Sequence, residues 1–284
     1  MKPYIGRFAP SPSGPLHLGS LIAAVASYLD AKANQGTWLI RMENLDPPRE
    51  MPGADELIIE QLSDFNLVSD QPVLFQSDRL DDYQKQLERW LTRQQAYACR
   101  CPRKHIRASG GIYNGHCRHL NIPTKDSAIR FVNNNPFNEF HDLIHNQVVI
   151  DSARSAEDFI IRRRDGLFAY QLAVVLDDIF QGITHIVRGQ DLIDTTVWQL
   201  ALYQALKISP PYYAHIPLIL GQDGRKLSKQ TGAPALDSKN SASLLVEVLS
   251  RLGQNPPKEL KLESNQEILN WGIHHWQLNK VPKN

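Results

Sequence analysis

The chain of 284 residues lacks the marks of several large protein classes. It has only three cysteines, all between residues 99 and 117. An odd, clustered set excludes the evenly paired disulfide framework of a small secreted domain. No apolar run is long enough to span a bilayer, since LAVVL at 172–176 runs straight into Asp177 and Asp178. The opening MKPYIGRFAP has no apolar signal core, so a cytoplasmic protein without a membrane partner is expected. The net charge of +1 shows no overall basic excess of the kind that advertises nucleic acid, although a local patch is enough to bind RNA. There is no internal repeat and no low-complexity tract.

What is present is an α/β rhythm. YIGRF (4–8) is short, apolar and bounded by Pro3 and Pro10, as a buried strand would be. Leu18, Leu21, Ile22, Val25 and Leu29 then fall at helical spacing, with Gly36 as a stop, and TWLIRM (37–42) reads as the next strand. Strand, helix and strand with short joints predict a parallel βαβ unit. A helix is predicted from Pro52 to Phe65, and another capped by Ser77 with Leu80, Tyr83, Leu87, Trp90 and Leu91 on one face. The pattern breaks at residue 97 and resumes near 166. FAYQLAVVLDDIF (168–180) then reads as a helix, ITHIVRG (183–189) as a strand, and 194–208 as a helix capped by Asp194. PLILGQDGRKLSKQTG reads as a hairpin-like strand and turn, and the last fifty or so residues look helical. The expected fold is α/β, a Rossmann-like parallel-sheet catalytic domain in two halves (1–96 and 166–225). Residues 97–165 form an inserted subdomain, and 226–284 a lysine-bearing loop and a short helical region.

The segment GRFAPSPSGPLHLGS (6–20) follows a strand and opens a helix. In parallel α/β sheets ligands bind beyond the carboxyl ends of strands, and a helix N-terminus offers unpaired N–H groups to phosphate. Pro10, Pro12 and Pro15 fix the backbone there, Gly14 and Gly19 thin it, and His17 can donate to a phosphate oxygen. The segment is neither GxGxxG nor a Walker loop. Three further groups fall at predicted strand ends: Arg7, Glu43 and Arg188. Taken singly, each is the usual surface ion pair. Their convergence on strand ends raises a functional reading, and Tyr170, at the start of its helix, could add a hydroxyl.

HLGS (17–20) resembles the HIGH motif of class I aminoacyl-tRNA synthetases, and KLSKQ (226–230) resembles their KMSKS, in the expected order. GRFAPSPSGPLHLGS, RMENLDPPRE and FAYQLAVVLDDIFQGITHIVRGQDL narrow the likeness to the glutamyl branch, over most of the chain up to residue 232. Ser20, Leu227, Gln230 and Asn44 depart from the usual motif letters. The resemblance implies ATP-dependent activation of L-glutamate, with magnesium accompanying ATP. It implies Arg7, Ala9, Ser11, Glu43, Tyr170 and Arg188 for glutamate, and His17, Gly19, Ser20, Lys226 and Lys229 for ATP. Of these, His17 and Lys229 would act on the transferring phosphoryl group. The attacking carboxylate is already ionised, so the chemistry asks for alignment and charge neutralisation and not for a general base.

Cys99, Cys101 and Cys117 suit a structural zinc site that needs a fourth ligand. Chemistry alone would favour His105, His116 or His119. The spacing C-x-C-x11-Y-x3-C resembles that of glutamyl-queuosine tRNA(Asp) synthetases, which implies Tyr113 instead. About fifty residues after KLSKQ leave no room for the helical anticodon-binding domain of glutamyl-tRNA synthetases, and the queuosine branch shares this short architecture. The implied partner is tRNA(Asp) carrying queuosine, with the protein acting as a monomer. The competing expectations are a truncated glutamyl-tRNA synthetase charging tRNA(Glu), and a catalytically inactive zinc-stabilised RNA-binding protein.

Overall fold

The computed structural model describes residues 3–108, 110–218, 236 and 238–283. The elements in order are β1 (Ile5–Phe8), α1 (Leu18–Ala33), β2 (Thr37–Met42), α2 (Ala54–Asp64), β3 (Leu74–Phe75), α3 (Leu80–Thr92), β4 (Ala96–Cys99) and α4 (Arg103–Ala108). Then follow β5 (Ala128–Phe131), β6 (Glu139–Asp142), β7 (Asn146–Val149), α5 (Ser152–Ser155), β8 (Ile160–Arg162) and α6 (Tyr170–Phe180). The chain continues through β9 (His185–Gly189), α7 (Thr196–Leu206), β10 (Tyr212–Ile216), α8 (Ser241–Arg251) and α9 (Asn265–His275).

The expected βαβ unit is present: β1 and β2 pair in parallel from Ile5↔Thr37 to Phe8↔Ile40, and β3 extends them. β9 and β10 form a second parallel pair. Thr184, just before β9, donates its N–H to Ile5 O and accepts from Ile5 N on its hydroxyl, which sets β9 beside β1. Across the molecule the strands therefore run β3, β2, β1, β9, β10. The order reverses between β1 and β9, the switch point where doubly wound sheets bind their ligands.

Two apolar clusters flank this arrangement. One joins α1 to β2, α2 and the tail helices through Leu29, Trp38, Ile58, Leu249 and Ile268, all buried. The other joins α3, α6 and α7 to the antiparallel sheet β4-β5-β8 through Trp90, Phe131, Phe159, Val174 and Trp198. Within residues 97–165, the β6-β7 hairpin leaves that small sheet and pairs through Asp142 with Tyr213 of β10.

Three local expectations are corrected. α1 turns out of its helix at Gln35, whose φ is 54°, and not at Gly36. Gly36 is needed because a Cβ there would sit 2.6 Å from Tyr4 O. Ser77 is not an N-cap: it lies inside a 3-10 turn over Gln76–Arg79, and its own N–H donates to Asn44 Oδ1 at 3.0 Å. Asp194 likewise falls within a 3-10 turn over Gln190–Thr195, and α7 begins two residues later without a side-chain cap. Ser77 lies two residues before the N-cap position of α3 and Asp194 one residue before that of α7, and neither helix has a side-chain cap. The reading of PLILGQDGRKLSKQTG, with Lys226 and Lys229, lies outside the described residues from 219 onward.

Candidate active site

The loop leaving β1 carries Ala9 and Ser11 and is held against the loop leaving β2. Glu43 N–H donates to Pro10 O at 2.8 Å, and Met51 N–H to Pro12 O at 2.9 Å. Gly14 sits at φ 131°, a conformation that disfavours any side chain. The chain then enters α1 with Leu16 buried and its N–H on Gln61 Oε1 at 2.7 Å. His17 is the N-cap of α1: its Nδ1 accepts from Ser20 N–H at 3.2 Å. A neutral ring used in this way carries its proton on Nε2, which lies 3.3 Å from Ser20 Oγ. Gly19 and Ser20 form the first turn behind it. Leu236, the first described residue past the lysine loop, donates its N–H to Leu16 O at 3.3 Å. Leu236 thus meets the residue immediately before His17.

Arg7, Glu43, Tyr170 and Arg188 come together at the carboxyl ends of β1, β2 and β9. Each is close enough to Tyr170 to perturb the titration of its phenol. Arg7 is buried and donates from Nε to Asp178 Oδ1 at 3.1 Å. Arg41, also buried, donates to the same oxygen at 2.7 Å. Burial pushes the Asp178 carboxyl up, but Arg41 and Arg7 outweigh it and hold the group below its usual range. Glu43 follows β2 with Oε1 3.6 Å from Arg41 Nη2 and no hydrogen bond of its own. Burial dominates here, against the pull of Arg41 and Arg7, and the carboxyl is pushed up to about 7. A buried carboxyl oxygen without a hydrogen bond is costly, and a donor that reached Oε1 would offset that cost.

Arg188 differs from the other two arginines. Its three nitrogens donate to His215 Nε2 (3.0 Å), Gln199 Oε1 (2.9 Å) and Thr196 Oγ1 (2.8 Å). Among the described residues it touches no carboxylate. Arg41, Asp178, Asp142 and His215 had no place in the sequence reading. Arg41 and Asp178 left a trace there, as charges inside the apolar runs TWLIRM and FAYQLAVVLDDIF; His215 and Asp142 left none.

The chain matches the catalytic domain of class I tRNA synthetases (E and Q) over residues 5–279. It belongs to that family. Among curated relatives of the family, a protein of Vibrio vulnificus named glutamyl-Q tRNA(Asp) synthetase is 52% identical over 280 residues, covering 99% of this chain and 92% of the relative. One of the same name from Serratia proteamaculans is 49% identical over 282 residues, covering 99% and 93%. The crystal structure of the glutamate-tRNA synthetase from Elizabethkingia anophelis superposes with a TM-score of 0.82 at 27% identity. That match covers 100% of this chain and 67% of that synthetase.

The cysteine cluster lies apart from these strand ends, at the exit of β4. The sulfurs of Cys99, Cys101 and Cys117 all fall within 4.8 Å of one another, with Cys101 and Cys117 at 3.4 Å. Tyr113 is buried against them and its Oη accepts from Cys117 N–H at 2.7 Å. Among the described residues no histidine or carboxylate joins the group, so His105, His116 and His119 stand outside it. Three thiols this close together could hold a zinc ion.

Proposed function

We propose that this enzyme activates L-glutamate with ATP and transfers the glutamyl group to the queuosine base in the anticodon of tRNA(Asp). The observation that carries the first half is the meeting of Arg7, Arg188, Glu43 and Tyr170 at the switch point between β1 and β9. Two guanidinium groups suit the carboxylates of glutamate, the unsatisfied Glu43 oxygen suits its ammonium, and Tyr170 supplies a hydroxyl. Ala9 and Ser11 line the same loop. An α-carboxylate oxygen attacks the α-phosphorus of ATP. A new P–O bond forms as the bond to the bridging oxygen breaks, and pyrophosphate leaves. His17, with Gly19 and Ser20 at the start of α1, serves the phosphates, together with Lys226 and Lys229. Magnesium bound to ATP would neutralise phosphate charge. An acceptor hydroxyl of the queuosine then takes the acyl group, its proton is lost and AMP departs. The names of the relatives favour this acceptor. Cys99, Cys101, Tyr113 and Cys117 would hold one structural zinc ion, and the setting is the cytoplasm.

Two assays test the reading. Glutamate-dependent exchange of pyrophosphate into ATP is expected, and its absence with every amino acid would leave a zinc-stabilised RNA binder. Labelled glutamate should pass to tRNA(Asp) only when queuosine is present. Charging of tRNA(Glu) at its 3′ end would replace this acceptor with that of a short glutamyl-tRNA synthetase.

A further inference from the structure

Arg188 is held by a relay that reaches across three strands. On β10, His215 lies directly opposite Arg188 in the parallel register and is completely buried. Its Nε2 meets Arg188 Nε at 3.0 Å, and its Nδ1 meets Asp142 Oδ2 at 2.7 Å. Asp142 ends β6, is itself completely buried, and accepts the N–H groups of Ile144 and His145 on Oδ1, both at 2.9 Å. Burial pushes the Asp142 carboxyl up, but the hydrogen bonds from His215, His145 and Ile144 outweigh it and keep it ionised. Burial, with Arg188 nearby, depresses His215 to about 4 despite Asp142, so the ring is neutral.

The tautomer follows from these facts. An ionised carboxylate only accepts, so the His215 proton sits on Nδ1, and Nε2 is left as an acceptor for the arginine. We propose that Asp142 and His215 are a positioning pair for Arg188, fixing its guanidinium by a neutral acceptor so that its whole positive charge is kept for a substrate carboxylate. The contrast within the site supports this. Arg7 and Arg41 share the negative charge of Asp178, whereas among the described residues the hydrogen-bond partners of Arg188 are all uncharged. Three of its five N–H donors are used, and the remaining two are the number a carboxylate takes in a bidentate contact. The pair gives orientation without neutralisation. This rests on the glutamate-site reading above.

Asp142→Asn tests it. Oδ1 accepts from Ile144 and His145 N–H, while Oδ2 accepts from the His215 N–H at 3.1 Å as well as meeting its ring. The amide nitrogen therefore disturbs fewer backbone donors at the Oδ2 position, where it donates to His215 Nδ1 and leaves the His215 N–H its longer contact to Oδ1 at 3.4 Å. The imidazole proton then moves to Nε2 and confronts the Arg188 Nε–H, two donors face to face. In pyrophosphate exchange the KM for glutamate should rise about tenfold to a hundredfold, with the KM for ATP and kcat changed less than about threefold. Asp142→Asn/His215→Gln should recover much of the loss, because a glutamine oxygen can accept from Arg188 whatever stands at 142. Thermal melting of each variant separates misfolding from misplacement. An unchanged KM for glutamate in folded D142N, an equal rise for ATP, or a double variant no better than D142N would overturn the pairing. Nitrogen NMR of the histidines in the wild-type protein gives an answer independent of activity: His215 protonated on Nε2 would refute the relay even if exchange fails altogether. Wild-type protein inactive in exchange, with the Nδ1–H tautomer present, would defeat the glutamate reading and leave the relay standing.

Discussion

Glu43 shows how one side chain can be tuned by what the folded chain withholds from it. Buried beside Arg41 and Arg7 yet lacking a hydrogen bond on Oε1, its carboxyl is pushed up to about 7. An ammonium arriving beside it would favour the ionised form and expel the proton. Glutamate binding should therefore release a proton below about pH 7, and its apparent Kd should weaken as pH falls. Calorimetry in buffers of different ionisation enthalpy measures this directly, and Glu43→Gln should abolish the pH dependence while weakening binding. The sign for stability is opposite. A carboxyl raised in the folded state binds its proton more tightly there, so wild-type stability is full below the unfolded value and is lost as pH climbs through about 7. E43Q carries no such loss, and without ligand it should melt above wild type at pH 8 but not at pH 4. Equal shifts at both values would mean that Glu43 is not perturbed as described. The sequence revealed Glu43, Arg7 and Arg188 because strand ends can be read from short apolar runs. Asp178, which couples Arg7 to Arg41, could not be assigned to either, since pairing between residues over a hundred positions apart exists only in the fold.

At the scale of elements, α1 joins stability to chemistry at one residue. His17 caps the helix through Nδ1, and its Nε2, 3.3 Å from Ser20 Oγ, is the atom that the proposed function sets toward a phosphate. Asparagine is an excellent N-cap but cannot offer the same donor at Nε2 reach. His17→Asn should keep the melting temperature near wild type while exchange slows about a hundredfold. His17→Ala should lose activity and about 1 kcal/mol of stability as well. If H17N retained full exchange, the imidazole would be a cap alone. The β1-α1-β2 unit was legible because strand runs and helical period agree over a continuous stretch. Helix starts after 3-10 turns were not. Ser77 and Asp194 carry the right cap chemistry, but the turn geometry places them too far upstream. β10 also escaped notice, because YYAHI buries a histidine that only its long-range partners Asp142 and Arg188 make tolerable in a core.

Over the whole molecule, residues 97–165 are joined to the helices around the parallel strands by apolar contact as well as by covalent chain. Phe131 and Phe159 pack with Trp90, and Phe159 stacks on Trp198 of α7 at 5.3 Å. The β6-β7 hairpin carries Asp142 to β10. A metal lost from the cysteine cluster should therefore lower the stability of the one cooperative unit and should not release a separately melting fragment. Calorimetric scans with and without a chelator should show a single transition moved downward, with one zinc per chain by elemental analysis of the untreated protein. Tyr113 decides how the site is closed. Its ring lies over the Arg130 guanidinium at 3.6 Å, a contact that phenylalanine would preserve. Tyr113→Phe thus removes Oη with little change in packing. It should give up zinc at about tenfold lower chelator concentration if the oxygen is a ligand, and Cys117→Ser should lose it more readily still. Zinc retention equal to wild type in Y113F would leave three cysteines and an exogenous fourth ligand, and the phenol would then serve only packing and the Cys117 N–H.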